Sequence, residues 1–362
     1  MKKYTHITLL IFVILTACGT NPSNSKTKQI TETKVDLPKS FYKKLKGTIN
    51  NNISITMDLI RKDSTLTGSY YYNNIGIPIT IEGQISEFLE INLSELNEKY
   101  EKTGVFHGKF TSAETFEGTW TNLKTNKSLA FKLLETKEGI ANISFENMHN
   151  ENCPPKVADS LNSEKTCSYI DLNIIKVFLN NHAVSDLINK SINKRIYGTE
   201  YNSINAYLNS INEGDNEYYR EIDINFFLMT NENNILCISE WTSEYNEGAA
   251  HPMSDGSFVN YDLKNGAEIK LDQILKPNSS EKLNRIAEKI FIDNYGSEGW
   301  EFQPGEFKLN TNFAITKGGL VFMFNPYEIG PYVAGTPEVF IPYGKINELI
   351  IQNGILARMT RK

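Results

Sequence analysis

The chain has 362 residues, of which 40% are hydrophobic and 11% aromatic, and it carries a formal net charge of −6. That length leaves room for two or three domains, and so rich a supply of core-forming residues excludes a disordered polymer. The acidic balance offers no basic field for a phosphate backbone, which argues against a nucleic-acid partner.

Lys2 and Lys3 stand before an apolar run at 7–15 that ends in Leu15-Thr16-Ala17-Cys18. A basic head, a short apolar core and small residues leading to a cysteine make a lipoprotein signal peptide. Residues 1–17 are therefore expected to be removed, and acyl chains on Cys18 to hold the mature protein on a membrane, in a bacterial cell envelope and outside the cytoplasm. No later apolar run approaches the ~20 residues of a membrane helix, so lipid is the expected anchor. Residues 18–40 are rich in Asn, Ser, Thr and Lys and read as a flexible tether with a mean span of about 25 Å.

From 41 to 137 the hydrophobic period is two, with frequent turn residues between runs such as Ile53-Ser54-Ile55-Thr56-Met57 and Phe116-Glu117-Gly118-Thr119-Trp120. Seven or eight strands in under a hundred residues predict a small antiparallel β-barrel or sandwich. Its Gly-x-Tyr and Gly-x-Trp strands look like those of lipocalin- and avidin-type barrels. Residues 138–155 are polar, end in Pro154-Pro155 and read as a linker.

A different pattern begins at 156 and runs to the end. A strand is predicted at 168–177, and a helix at 183–197 with Val184, Leu187, Ile188, Ile192 and Ile196 on one face and Gly198 as its stop. A second helix carries Ile204, Tyr207, Leu208 and Ile211. Strands at 221–230 and 235–245 form a predicted hairpin, and another is expected at 258–269 around Lys264-Asn265-Gly266. Leu283, Ile286, Ala287, Ile290 and Phe291 mark a third helix, ending near Gly296. A hairpin at 312–325 turns at Lys317-Gly318-Gly319, and a strand at 338–342 precedes a short closing helix. The chain as a whole is predicted to be α+β, with helices packed on antiparallel sheet in this second part.

Lipidation of Cys18 would leave Cys153, Cys167 and Cys237. Outside the cytoplasm a disulfide is permitted: Cys153 with Cys167 would close a short loop and leave Cys237 buried, while pairing of Cys237 with either of the others is the competing arrangement. No Cys-x-x-Cys occurs, so no metal site is expected, and no cofactor motif is present. His-Glu-x-x-His, Gly-x-Ser-x-Gly and phosphate-loop signatures are likewise absent. Glu213, Asp215, Glu217, Glu221 and Asp223 form an acidic run without the spacing or turn glycine of a calcium loop, and read as a solvated surface.

Two segments carry a family resemblance. One is Tyr245-Asn246-Glu247-Gly248-Ala249-Ala250-His251-Pro252, followed by the 258–271 segment. The other is Phe322-Met323-Phe324-Asn325-Pro326-Tyr327-Glu328-Ile329-Gly330-Pro331-Tyr332-Val333-Ala334-Gly335 with Glu338-Val339-Phe340-Ile341-Pro342-Tyr343. Together they resemble the RsiV-like family, a conserved domain of unknown function found in lysozyme-sensing anti-sigma factors and in the non-catalytic part of a peptidoglycan deacetylase. The resemblance spans about 168–351. It implies extracellular recognition of a protein such as lysozyme. The lipid anchor in place of a membrane helix, and the lack of a sigma-binding segment, depart from the anti-sigma branch. The metal-binding Asp and His motifs of a deacetylase domain are missing.

The expected function is therefore a lipid-anchored envelope binding protein whose partner is a protein, lysozyme among the candidates, or peptidoglycan. His251 in its small-residue turn, and Tyr327, Glu328 and Tyr332 in their proline-bounded loop, are the expected contacts, since tyrosines on ordered loops supply area at low entropy cost. Two alternatives stand beside it. An envelope hydrolase would need a carboxylate or metal close to His251 in a concave site. A carrier of a small apolar ligand would need an unfilled barrel.

Overall fold

The computed structural model describes residues 35–97, 99–153, 167–212 and 219–360. The signal segment, Cys18, most of the tether, and Glu213, Asp215 and Glu217 of the acidic run lie outside the described residues.

Eight strands come first: β1 (Ser40–Ile49), β2 (Ile53–Lys62), β3 (Thr65–Tyr72), β4 (Ile79–Ile85), β5 (Glu90–Leu96), β6 (Lys102–Ser112), β7 (Thr115–Asn122) and β8 (Lys127–Glu135). They pair antiparallel in chain order, and β8 returns to β1, so the sheet is a closed barrel. Closure leaves no edge strand open to another chain. Alternation sends Leu45, Ile55, Met57, Leu66, Tyr70, Leu93, Phe106, Phe116 and Phe131 out of solvent. The rings of Phe106 and Phe116 both meet Phe131 edge-on, with centroids 5.2 and 4.8 Å apart. These rings occupy the interior that carriage of an apolar ligand inside the barrel would require.

The chain continues through β9 (Asn142–Asn152), β10 (Ser168–Phe178), α1 (His182–Tyr197), α2 (Ile204–Asn209), β11 (Arg220–Glu232), β12 (Ile235–Asn246) and β13 (Met253–Asp262). These strands form one sheet in the order β13-β12-β11-β10-β9. Most of the polar stretch expected as a linker is thus strand β9, which holds an edge of the sheet and shows the polar composition of a half-solvated strand. The sheet is mixed, where an antiparallel one was expected. β10 and β11 run parallel because α1 and α2 lie between them in the chain, and a crossover of that length is what parallel pairing needs. Val184, Ile188, Ile192 and Ile196 of α1 share one core with Ile170, Leu172, Ile222, Ile224 and Phe226 of the sheet. Gly198 ends α1 with a positive φ of 61°, its N–H bonded to the Lys194 carbonyl.

Cys153 and Cys167 sit immediately beyond the paired residues Asn152 and Ser168, and a disulfide joins them. Cys237 is a buried free thiol. Antiparallel pairing of β9 with β10 is what brings the two ends of that short loop together.

The last part comprises α3 (Ser280–Tyr295), β14 (Phe313–Ile315), β15 (Gly319–Met323), β16 (Glu338–Pro342), α4 (Tyr343–Ile346) and α5 (Ala357–Thr360). The three strands make a small antiparallel sheet whose core holds Phe291, Phe307, Phe313, Phe322 and Phe324. The turn expected at Lys264-Asn265-Gly266 forms, with Gly266 at a φ of 76°, but its return arm makes a single bridge, Tyr261 with Glu268, in place of a full hairpin.

Polar side chains line the junction of barrel and sheet, some bonded within the barrel and some across it. Lys44, only 1% exposed, donates to both carboxylate oxygens of Asp58 at 3.0 and 2.9 Å, and the Tyr42 hydroxyl donates to Asp58 at 2.6 Å. The Tyr71 hydroxyl of β3 donates to Glu232 of β11 at 2.7 Å. The Asn231 side-chain amide accepts from the Ala141 N–H and donates to the Ala141 carbonyl, each at 2.8 Å. At the far end of the chain, Arg358 grips Asp262 with two bonds of 2.7 and 2.9 Å.

Burial alone would raise the Asp262 pKa, but the Arg358 guanidinium and the Lys264 N–H outweigh it and hold the carboxyl below its ordinary value. With the folded pKa below the unfolded one, the pair stabilises the fold above about pH 4 and loses its effect as pH falls through the folded value. Asp262→Asn is expected to cost about 1–3 kcal/mol at pH 7. In urea denaturation that deficit should shrink steadily toward pH 3; an equal deficit at both pH values would refute the assignment.

Candidate functional site

The outer edge of β13 decides where the site residues stand. Its inner backbone groups pair with β12, leaving those of Gly256, Phe258 and Asn260 facing away. Asparagine amides from the small sheet meet them. Asn325 Oδ1 accepts from the Gly256 N–H at 2.8 Å, and Asn312 Oδ1 from the Phe258 N–H at 2.8 Å. Asn312 Nδ2 donates back to the Gly256 carbonyl at 3.0 Å. In the other direction, Asn260 Nδ2 donates to the Phe313 carbonyl at 2.7 Å, and its Oδ1 accepts from the Ile315 N–H at 2.8 Å. Gly256 has no side chain because Met323 occupies the space a Cβ would need. This dock holds the loop before β13, which carries His251, against the loop after β15, which carries Tyr327 and Tyr332.

Three of the four expected contact residues come together there. The His251 and Tyr332 rings stack with centroids 3.7 Å apart and planes inclined by 22°. His251 Nδ1 lies 2.9 Å from the Pro252 carbonyl, which can only accept, so Nδ1 carries the proton. The Tyr332 hydroxyl donates to the same carbonyl at 2.8 Å. Nε2 is then left to accept from the Tyr327 hydroxyl at 3.4 Å, and the Tyr327 ring lies 5.8 Å from that of Tyr332. The two stacked rings are half-buried, while Tyr327 is 53% exposed and Val333, beside Tyr332, is 91% exposed.

Glu328 stands apart from the stack. Its Oε2 accepts from the Asn325 N–H and from Asn310 Nδ2, both at 2.9 Å, so its carboxylate braces the loop that presents the tyrosines. Both His251 nitrogens have neutral partners, and among the described residues no carboxylate bonds to either. The hydrolase reading asks for a carboxylate or a metal close to His251 in a concave site, and the first of these is not what its ring nitrogens bond. A cluster of the acid–base type lies elsewhere, on the half-exposed face of β9 to β11. There His149 Nδ1 donates to Asp171 at 2.6 Å, and Asp171 is the direct neighbour of Asp223. The hydrogen bond to Asp171 raises the His149 pKa, while burial and the Asp171 charge raise that of Asp223. Glu221 and Asp223, the described members of the acidic run, are on this solvated face.

Residues 263–344 match DUF3298, a family described as a protein of unknown function. The chain therefore carries a DUF3298 region. Among solved structures, it is similar to a DUF3298 member from Bacteroides fragilis, at 20% identity and a TM-score of 0.49 over 61% of this chain and 98% of the other. It is also similar to a DUF3298 protein from Pseudomonas aeruginosa, at 18% identity and a TM-score of 0.46 over 58% and 95%. No curated protein matches the chain. The DUF3298 region contains Tyr327, Glu328, Tyr332 and the docking amides of Asn312 and Asn325, whereas His251 is contributed from outside it.

Tyr327 has a φ of 69°, a left-handed conformation that is uncommon for a bulky residue. Glycine adopts it without the Cβ penalty, roughly 1 kcal/mol, though it loses more chain entropy on folding. Tyr327→Gly is thus expected to leave the thermal midpoint unchanged or raised, measured by calorimetry. A marked fall would show that the ring is held there to pack its own loop.

Proposed function

We propose that this chain is a lipid-anchored protein of the bacterial cell envelope, and that its DUF3298 region with the loop before β13 recognises a protein partner outside the cytoplasm. The observation that carries this reading is the pre-ordered, half-buried stack of His251 and Tyr332 with the exposed Tyr327 alongside. Rigid aromatic groups whose polar atoms are already bonded lose little entropy on binding, and they supply the area on which hot spots are built. The lipobox at Leu15-Thr16-Ala17-Cys18 and the disulfide between Cys153 and Cys167 support the location, since such bonds persist in oxidising compartments. The net charge of −6 favours a basic partner, and c-type lysozyme is the first one to test.

The test uses the full chain with Cys18→Ser, titrated with lysozyme by calorimetry across a salt series. Saturable binding that weakens with salt is expected, with His251→Ala/Tyr327→Ala/Tyr332→Ala reducing affinity by at least 2 kcal/mol, about the hot-spot threshold, while the thermal midpoint holds. Equal affinity in the triple variant would remove the stack as the contact surface; no binding at any salt would remove lysozyme. Separately, radiolabelled palmitate should be incorporated by the natural chain in a bacterial host and not by Cys18→Ser. Equal labelling of the two would exclude Cys18 as the anchor.

A further inference from the structure

At the barrel end formed by the β3–β4, β5–β6 and β7–β8 connections, the expected filling pattern changes. Ile91 and Leu93 of β5 point inward and are fully buried, and two residues on the same series reaches Glu95, which is 9% exposed. An apolar interior is a costly place for a carboxylate. Three donors hold it: the Tyr70 hydroxyl at 2.6 Å and Trp120 Nε1 at 3.1 Å on Oε2, and the Thr103 hydroxyl at 2.6 Å on Oε1. Gly104 permits this, since a Cβ there would lie 2.7 Å from Glu95 Oε2. All three donors are neutral, and none of the ion pairs among the described residues includes Glu95. Burial and the neighbouring Glu95 raise the Tyr70 pKa, which keeps that hydroxyl a donor.

Glu95 also lines a cleft of about 670 Å³. Its apolar walls come from Ile77, Pro78, Leu96 and Tyr100, with Lys99 and Glu101 beside them. The volume falls in the range of small-molecule sites. One wall is anchored: Gly76 of the β3–β4 connection lies against Gly318, where a Cβ at either position would stand 3.0 Å from the other's backbone. The other is braced by Asn97, whose Oδ1 accepts from the N–H groups of Lys99 and Glu101. That brace presents Tyr100 at a φ of 59° and 82% exposed. A tyrosine so exposed contributes little packing to offset its left-handed backbone conformation, and such strain is characteristic of sites.

We propose that this cleft binds a small primary amine, its ammonium completing the charge of Glu95 and its apolar body lying against Ile77, Pro78 and Tyr100. The remaining accepting capacity of the carboxylate, and the lack of any cation on it, set the charge of the ligand; the walls set its body. The site is independent of the aromatic stack on the DUF3298 side.

The probe is n-hexylamine, titrated by calorimetry into the full chain with Cys18→Ser, with 1-hexanol as the uncharged control. Hexylamine is expected to bind about tenfold or more tightly than hexanol, the effect of one charge-assisted contact. Glu95→Gln keeps the volume and one acceptor, and should abolish that preference without altering the circular dichroism spectrum. Because that variant bears on folding, Tyr100→Ala gives a second test at an exposed position, where hexylamine affinity should fall several-fold. Equal binding of amine and alcohol, no binding of either, or a preference that survives Glu95→Gln would overturn the proposal. Tighter binding of Nα-acetyl-lysine methylamide than of hexylamine would also overturn it, by making the occupant a lysine side chain of a protein.

Discussion

An edge strand has backbone donors and acceptors on its open side, and every buried one of them needs a partner. At β13 this constraint is met by asparagine amides rather than by a further strand. A primary amide offers an N–H and a C=O in nearly the geometry of a peptide group, so Asn312 can accept from Phe258 and donate to Gly256 as a neighbouring strand would. Asn260 does the same in reverse, reaching from β13 to the backbone of β14. The edge is satisfied without continuing the sheet, so the small sheet can lie at an angle of its own. That dock holds the loop carrying His251 beside the loop carrying Tyr327 and Tyr332, where their rings then meet. Removing one of these amides would leave several buried groups unpaired together, a larger loss than a single surface hydrogen bond.

The same device recurs where elements of different type must be joined. Asn231 clasps the backbone of Ala141 in the connection between barrel and sheet, and Asn189 of α1 clasps both backbone groups of Val177 on β10. Between barrel and sheet the neutral clasp is accompanied by charge. Lys44 and Asp58 lie beside Glu232, which accepts the Tyr71 hydroxyl across the junction. Buried charges of this kind add little net stability over apolar packing, but mispairing them is severely penalised.

Much of the architecture was legible in the chain because local periodicity reports burial directly. The barrel strands alternate, the α1 face repeats at helical spacing, and Gly198 and Gly296 stop their helices where the pattern ends. What local pattern does not report is pairing. The direction of β10 against β11 depends on where α1 and α2 place the returning chain, and no residue in either strand records it. β9 read as a linker because an edge strand with one solvated face has too few apolar residues to stand out. At the site, residue type and loop context singled out His251, Tyr327 and Tyr332, but assigned Glu328 to the same surface, where the fold uses it as a brace. Asn312 and Asn325, on which the site depends, stood in the sequence only as the ends of a predicted hairpin; their role appears only once β13 is known to be an edge. Glu95 was hidden for a similar reason, as a single polar residue in a strand whose inward series was otherwise apolar.

The left-handed backbone positions separate the two kinds of demand on the chain. Nearly all the non-glycine residues with positive φ are Asn or Asp, which tolerate that conformation and supply turns; the exceptions are Leu89, Tyr100 and Tyr327. Both tyrosines are exposed, so neither ring contributes core packing to offset the strain. Each is held by an Asn- or Glu-centred brace that bonds the adjacent backbone: Asn97 around Tyr100, and Glu328 with Asn325 around Tyr327. A fold selected for stability alone would place glycine or asparagine at these two points. Keeping a large amphipathic ring there, on a loop stiff enough to enforce the conformation, is what a surface selected for contact requires. The two positions lie at opposite ends of the chain's organisation, one on the barrel and one on the DUF3298 region, yet they follow one rule: the brace is built from short polar side chains so that the aromatic group can remain outside.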